Sequence, residues 1–322
     1  MEESFKTRVI ITTLQKYGYD LNFQQNVKEP MNRFSDPIES YDFANIPFTM
    51  SSIFQLRCPK LNQTVFHLAA RKGHVDVIRA LIKLPNAKVF INCGDQHDNT
   101  ALHFAASFQN HSIAVEMVQL LLEHHAIRSM VNMRDQTPLA IHILTSKTDS
   151  PDVARLFISE ETNNLEDLNQ LILNRTTTYL HLAIERGLTK IACFLVSKGA
   201  SINVPDENGI TVSDILPRKR LVRLICAMKQ GHQTPNPLSR NQCQLCKHPK
   251  SMMESYKDCR LCGRIVCKTC SKRVYDVKLG TIKDVKKDER LCSLCITVSM
   301  LREKHQKERK GFLNMLHGCH DQ

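Results

Sequence analysis

Cys243-Gln244-Leu245-Cys246, Cys259-Arg260-Leu261-Cys262, Cys267-Lys268-Thr269-Cys270 and Cys292-Ser293-Leu294-Cys295 are four Cys-x-x-Cys pairs in one stretch of the chain. The two-residue spacing lets two thiolates from one tight turn reach the same zinc ion at about 2.3 Å, and two such pairs complete a tetrahedral site. Eight ligands therefore imply two zinc ions. A catalytic zinc keeps three protein ligands and an open position, whereas this count closes both sites, so the ions are expected to be structural. The other five cysteines, Cys58, Cys93, Cys193, Cys226 and Cys319, are scattered. The opening Met1-Glu2-Glu3 lacks the positive charge and apolar run of a secretory signal, so a reducing cytoplasmic setting is expected rather than a disulfide framework.

The intervals sharpen this reading. Twelve residues separate the first and second pairs, four the second and third, and twenty-one the third and fourth. A four-residue gap is too short for neighbouring pairs to close comfortably on one ion. Pairs one and three are expected to share one zinc and pairs two and four the other, a cross-brace. With its run of Cys259, Arg260, Cys262, Gly263, Cys267, Cys270 and Ser271, the stretch resembles the FYVE-type zinc finger of endosomal proteins. The resemblance implies a headgroup pocket to which Arg260 and Arg290 belong. It also implies a membrane-dipping loop carrying Met252 and Met253, flanked by Lys247, Lys250 and Lys257. The chain departs from the family at two places: Ser255, Tyr256, Lys257 and Asp258 stand where the family has its basic His-His motif, and tryptophan is absent. Two adjacent methionines fit membrane contact and ordinary gap-filling alike.

Charge follows the same division. Residues 1–216 hold 20 Lys+Arg against 23 Asp+Glu, while residues 217–322 hold 24 against 9. Eight thiolates around two Zn2+ offset four of those positive charges. An anionic surface is the partner this favours, lipid headgroups and nucleic acid both qualifying on charge alone. Nucleic acid is not expected, because the basic end lacks aromatic stacking residues and a finger with paired Cys and His ligands.

Upstream, the chain repeats itself. Thr64-Val-Phe-His67-Leu-Ala69, Thr100-Ala-Leu-His103-Phe-Ala105, Thr137-Pro138-Leu-Ala140-Ile-His142 and Thr178-Tyr-Leu-His181-Leu-Ala183 resemble the Thr-Pro-Leu-His-x-Ala signature of ankyrin repeats, with a degenerate fifth copy at Asn208-Gly209-Ile210-Thr211. Successive threonines lie 36, 37, 41 and 33 residues apart. Insertions therefore sit between repeats, and the longest, at 164–173, is expected to hold an extra helix. The family resemblance implies that His67, His103, His142 and His181 tie one repeat's turn to the next, and each threonine is expected to cap a helix. The loops and the turn tips at 95–99 and 206–209 are where a protein partner is expected to touch the array.

From Pro217, Leu221, Leu224 and Ile225 share a helical face opposite Arg218, Lys219, Arg220 and Arg223. This fits a closing helix with a solvated basic side, and the basic run also fits a nuclear-localisation signal. The expected fold is mainly α: an N-terminal segment (1–55) with no assignable role, an ankyrin-repeat solenoid (56–230), a linker (231–240), a two-zinc cross-brace finger (241–298) and a basic C-terminal helix (299–322). No nucleophile, base and orienting group come together in the sequence, so no enzyme is expected. The functional expectation is an interaction adaptor. Its array holds a protein, and its finger addresses an endosomal membrane through a phosphoinositide or other anionic lipid, or through a membrane-bound Rab-type GTPase. A RING-like ubiquitin ligase is the alternative, since RING fingers share the cross-brace. They usually include a histidine ligand and a shorter gap before the fifth ligand.

Overall fold

The computed structural model describes residues 57, 61–84, 86–158, 168–228, 241–252, 254–277 and 289–318. The segments 1–55 and 231–240, and residues 164–167 of the insertion where an extra helix is expected, lie outside the described residues. The chain divides into two compact units between Thr162 and Asn163. Among the described residues no helix is long and apolar enough to cross a membrane.

The first unit is a stack of helix pairs: α1 (Val65–Lys72) with α2 (Val75–Leu81), α4 (Ala101–Ser107) with α5 (His111–Glu123), and α6 (Pro138–Thr145) with α7 (Asp152–Phe157). A single turn, α3 (Ala87–Phe90), lies between the first two pairs. The first helices form one layer, α4 packing against both α1 and α6, while α5 packs against α2 and α7 in a second layer. Short helices of seven or eight residues are marginal alone. They hold here because Leu68, Leu102, Met117, Leu121 and Ile143 are 2% exposed or less, each contributing roughly 1.5–3 kcal/mol by burial.

The threonines fix where each first helix begins. Thr64 Oγ1 accepts from the His67 backbone N–H and Thr137 Oγ1 from that of Ala140, satisfying amides the helix leaves orphaned. Gly73 ends α1 in the left-handed region at φ 75°, its N–H reaching the Ala69 and Ala70 carbonyls.

Three of the four histidines do what the resemblance implies. The backbone N–H of Thr64 donates to His67 Nδ1 at 3.0 Å, so Nε2 carries the proton and donates to the Asn99 carbonyl of the next turn at 2.7 Å. His103 repeats this between Thr100 and the Gln136 carbonyl. In the second unit, His181 spans Thr178 and the Ile210 carbonyl. Burial holds all three imidazoles below their ordinary pKa, His67 down to about 4, although the carbonyl each meets works in the opposite direction.

His142 does not belong to this ladder. Its copy has Ala140 at the histidine position, and His142 occupies the place of the buried alanines 69, 105 and 183. Its Nδ1 points back to the Ala106 carbonyl at 3.0 Å, and its Nε2 has no hydrogen-bond partner in the protein. The spacing of the third copy's motif shifts its histidine by two residues, which turns a forward tie into a backward one.

The second unit continues with α8 (Tyr179–Glu185) and α9 (Thr189–Ser197), then α10 (Val212–Ile215) and α11 (Arg218–Ala227). Thr211 opens α10 with a capping box in which Asp214 replaces the histidine. In α11, Leu221, Leu224 and Ile225 are buried and Arg218, Lys219, Arg220 and Arg223 are exposed. The finger follows: β1 (Lys257–Asp258) pairs antiparallel with β2 (Ile265–Val266), and β3 (Ser271–Arg273) with β4 (Arg290–Cys292). Helix α12 runs Ser293–Gly318. It starts six residues before the expected 299, because Cys295, drawn into the cysteine core, lies in its first turn.

Candidate metal centre

Each of the first two cysteine pairs sits on a turn whose backbone is folded around its own sulfurs. The Lys247 N–H donates to the Cys243 carbonyl at 2.8 Å and the Gly263 N–H to the Cys259 carbonyl at 2.7 Å. Both residues adopt positive φ, 58° at Lys247 and 70° at Gly263, so that the chain can reverse directly after the second cysteine. Glycine does this without strain, whereas Lys247 bears the cost of its Cβ.

The turns converge in two groups of four. Cys243, Cys246, Cys267 and Cys270 form the first, and Cys259, Cys262, Cys292 and Cys295 the second, with the sulfurs of each group all within 4.8 Å of one another. This is the cross-brace pairing of one with three and two with four. Four sulfurs at about 2.3 Å from a tetrahedral zinc stand about 3.8 Å apart. The Cys246 to Cys267 and Cys262 to Cys292 separations are both 3.8 Å. The donor set and its spacing thus fit a zinc ion in each group.

The two groups differ in surroundings. In the first, Cys246 is exposed and Cys270 half-buried, while all four cysteines of the second are buried. The first receives backbone donors, the Cys267 N–H on Cys243 Sγ at 3.5 Å and those of His248 and Cys270 on the sulfurs of Cys246 and Cys267, and lies against the Thr269 hydroxyl. The second receives the N–H groups of Cys292 and Cys295 on the sulfurs of Cys259 and Cys292. It also receives Arg264, which is 1% exposed. Arg264 Nε meets Cys262 Sγ at 3.2 Å and Nη2 meets Cys292 Sγ at 3.6 Å. Burial alone lowers an arginine pKa, but the thiolates of Cys262 and Cys292 outweigh it and hold this guanidinium above its usual range. Arg264 was invisible to motif reading, because the run Gly263-Arg264-Ile265-Val266 reads only as spacing between cysteines.

The expected lipid-contacting residues are not equivalent. Met252 is fully exposed, and Lys250 and Lys257 are exposed on either side of it; Met253 lies outside the described residues. Their loop is pinned by Tyr256, whose buried hydroxyl donates to the carbonyls of His248 and Pro249, each at 3.1 Å. Arg260 is ion-paired with Glu289. Arg290 donates to the Ser271 hydroxyl at 2.7 Å and to the Ser271 carbonyl at 2.9 Å. Lys247 is ion-paired with Asp214, at the end of α10.

Among the described residues, further hydrogen bonds join the finger and its helix to the segment before them. Asn203 Nδ2 donates to the Cys262 carbonyl at 2.6 Å. Arg302, on α12, places Nη2 within 2.9, 2.9 and 2.7 Å of the carbonyls of Ile225, Cys226 and Met228, the open end of α11. The second unit thus holds finger and closing helices together.

The ankyrin repeat family matches residues 51–135 and 114–206, and the FYVE zinc finger family matches residues 236–300. NF-kappa-B inhibitor zeta of Homo sapiens is 29% identical over 107 residues, which is 33% of this chain and 15% of that protein. The p105 subunit of nuclear factor NF-kappa-B from Gallus gallus is 28% identical over 178 residues, 55% of this chain and 17% of its own length. Rabankyrin-5 of Homo sapiens is 28% identical over 154 residues, 46% of this chain and 12% of that protein. The matched part of the chain thus spans under a fifth of each of these relatives. Ankyrin repeats followed by a FYVE zinc finger with two four-cysteine zinc sites are what this chain is built from.

Proposed function

We propose that this chain is a non-enzymatic adaptor, cytoplasmic and peripheral on endosomal membranes. The eight cysteines ligate the two zinc ions, the ankyrin array holds a protein partner, and the finger seats on an anionic membrane surface. The carrying observation is Met252, fully exposed between exposed Lys250 and Lys257 on a loop that Tyr256 holds in place. An apolar tip ringed by cations suits the boundary between headgroups and acyl chains. The arginines of the implied headgroup pocket are engaged within the protein, Arg260 by Glu289 and Arg290 by Ser271. That favours recognition of negative charge in general over one phosphoinositide. An all-thiolate ligand set and the FYVE match support an adaptor over a RING-like ligase.

The similarity to Rabankyrin-5 supports a second reading, in which a membrane-bound Rab-type GTPase is the finger's partner. Flotation of the zinc-loaded chain separates the two. Liposomes of phosphatidylcholine alone, with added phosphatidylserine, and with added phosphatidylinositol 3-phosphate at matched charge are compared. Equal binding to both anionic compositions is expected. Preference for the phosphoinositide would show that Glu289 does not block the pocket, and no binding to either would leave the GTPase reading.

A further inference from the structure

We propose that the zinc ion of the second cysteine group, and not that of the first, keeps the closing ankyrin helices folded. The end of the repeat array is then a zinc-dependent structure. The terminal repeat of a solenoid lacks a neighbour on its outer side and needs a cap. Here α10 is a single turn, and α11 buries Leu221, Leu224 and Ile225 on one face. The last carbonyls of a helix lack the usual donor four residues on; here the Met228 N–H turns back to the Ile225 carbonyl, and Arg302 brings one donor group to the carbonyls of Ile225 and Cys226 in α11 and of Met228 just after it.

Two ties at this end originate at the second group. Arg302 lies on α12, seven residues after Cys295. A helix rises about 1.5 Å per residue, which puts Arg302 about 10 Å along a stiff rod anchored in the zinc site. The other tie is Cys262, whose carbonyl accepts from Asn203. Asn203 is 0% exposed, so its amide has no water to turn to if that carbonyl moves. Ligand turns of small zinc domains are set by the metal itself. Loss of the second ion therefore releases the Cys262 carbonyl and the start of α12 together. Among the described residues the first group is joined to the array by the ion pair of Lys247 with Asp214, at the surface, and such pairs contribute little.

Amide hydrogen exchange on the full-length, zinc-loaded chain tests this, following peptides from 218–228 and, as internal reference, 101–123. Cys262→Ser and Cys292→Ser are compared with Cys243→Ser and Cys246→Ser. The first two are expected to raise exchange in 218–228 by at least about tenfold, with 101–123 unchanged. Cys246→Ser is expected to leave 218–228 near the wild type. Unchanged exchange in Cys262→Ser, or an equal rise in Cys246→Ser, overturns the proposal. Arg302→Ala keeps all eight cysteines and covers the case in which ligand variants fail to fold. With two zinc ions still bound, it must raise exchange in 218–228, and wild-type protection there overturns the proposal as well.

Discussion

The Arg264 guanidinium donates from Nε to the Cys262 sulfur at 3.2 Å in a site where Arg264 itself is 1% exposed. A zinc ion with four thiolates carries a charge of −2, and Arg264 brings a permanent positive charge to it without water between. Arg264→Met keeps an unbranched apolar stem but leaves that anion uncompensated, and removing one partner of a buried pair costs about 3–5 kcal/mol. Chelator competition on the whole chain should show one ion released much faster than in the wild type and the other unaffected. Arg264→Lys should fall between, because an ammonium lacks the fork that reaches both Cys262 and Cys292. An unchanged release profile in Arg264→Met would show that the backbone donors alone hold the second ion.

Gly73 and Gly187 stand at the same point of two repeats, both with positive φ, 75° and 72°. Their surroundings differ. A Cβ on Gly73 would lie 2.3 Å from the ring of Phe108, whereas one on Gly187 meets nothing within 4 Å. Gly187→Ala should therefore cost only the backbone strain, about 1 kcal/mol, and Gly73→Ala at least about 2 kcal/mol because Phe108 must move as well. Urea denaturation followed separately in the two units distinguishes them, and equal costs would mean that Phe108 yields freely.

The contrast shows what the sequence carries and what it does not. Gly73 and Gly187 read as the same turn, because local rules see only φ, while the neighbour at Phe108 is 35 residues away. Cys-x-x-Cys spacing fixed the zinc pairing because four residues between pairs leave little geometric choice. Thr64, Thr100 and Thr178 announced their helices for the same local reason. His142 resembles the ladder histidines by residue type alone, while its place in the third copy is two positions out of register. Arg264, Asn203 and Arg302 carry no motif at all. Their partners are two sulfurs and main-chain carbonyls, and nothing in the order of side chains points from one to the other.

Lys250→Glu and Lys257→Glu should each weaken binding to phosphatidylserine liposomes by roughly tenfold, since every reversal removes one attraction and adds one repulsion at the surface. Met252→Ser should weaken binding with less dependence on salt, because it removes apolar burial. Arg260→Ala should change binding little, its charge being spent on Glu289. Flotation at two ionic strengths reads all four. A larger loss from Arg260→Ala than from Lys250→Glu would return the contact to the headgroup pocket.

The histidine ladder makes the array sensitive to acid, with a definite sign. His67 has its pKa lowered from 6.5 to about 4, chiefly by burial. Between those values the unfolded chain takes up a proton that the folded chain refuses, so stability falls with falling pH. The contribution is fully present above about pH 6.5, is lost progressively toward pH 4, and amounts to about 3 kcal/mol for His67 at full extent. His103, also lowered by burial, adds in the same direction within the first unit. Thiolate ligands protonate in acid too, so the measurement must follow the first unit alone, through hydrogen exchange of 101–123 as pH is lowered and after correction for intrinsic rates. His67→Gln cannot titrate, and it should begin less stable at neutral pH, having lost the tie between Thr64 and Asn99, yet lose less on acidification. Parallel pH profiles for the wild type and His67→Gln would mean that His67 protonates without opening the repeat.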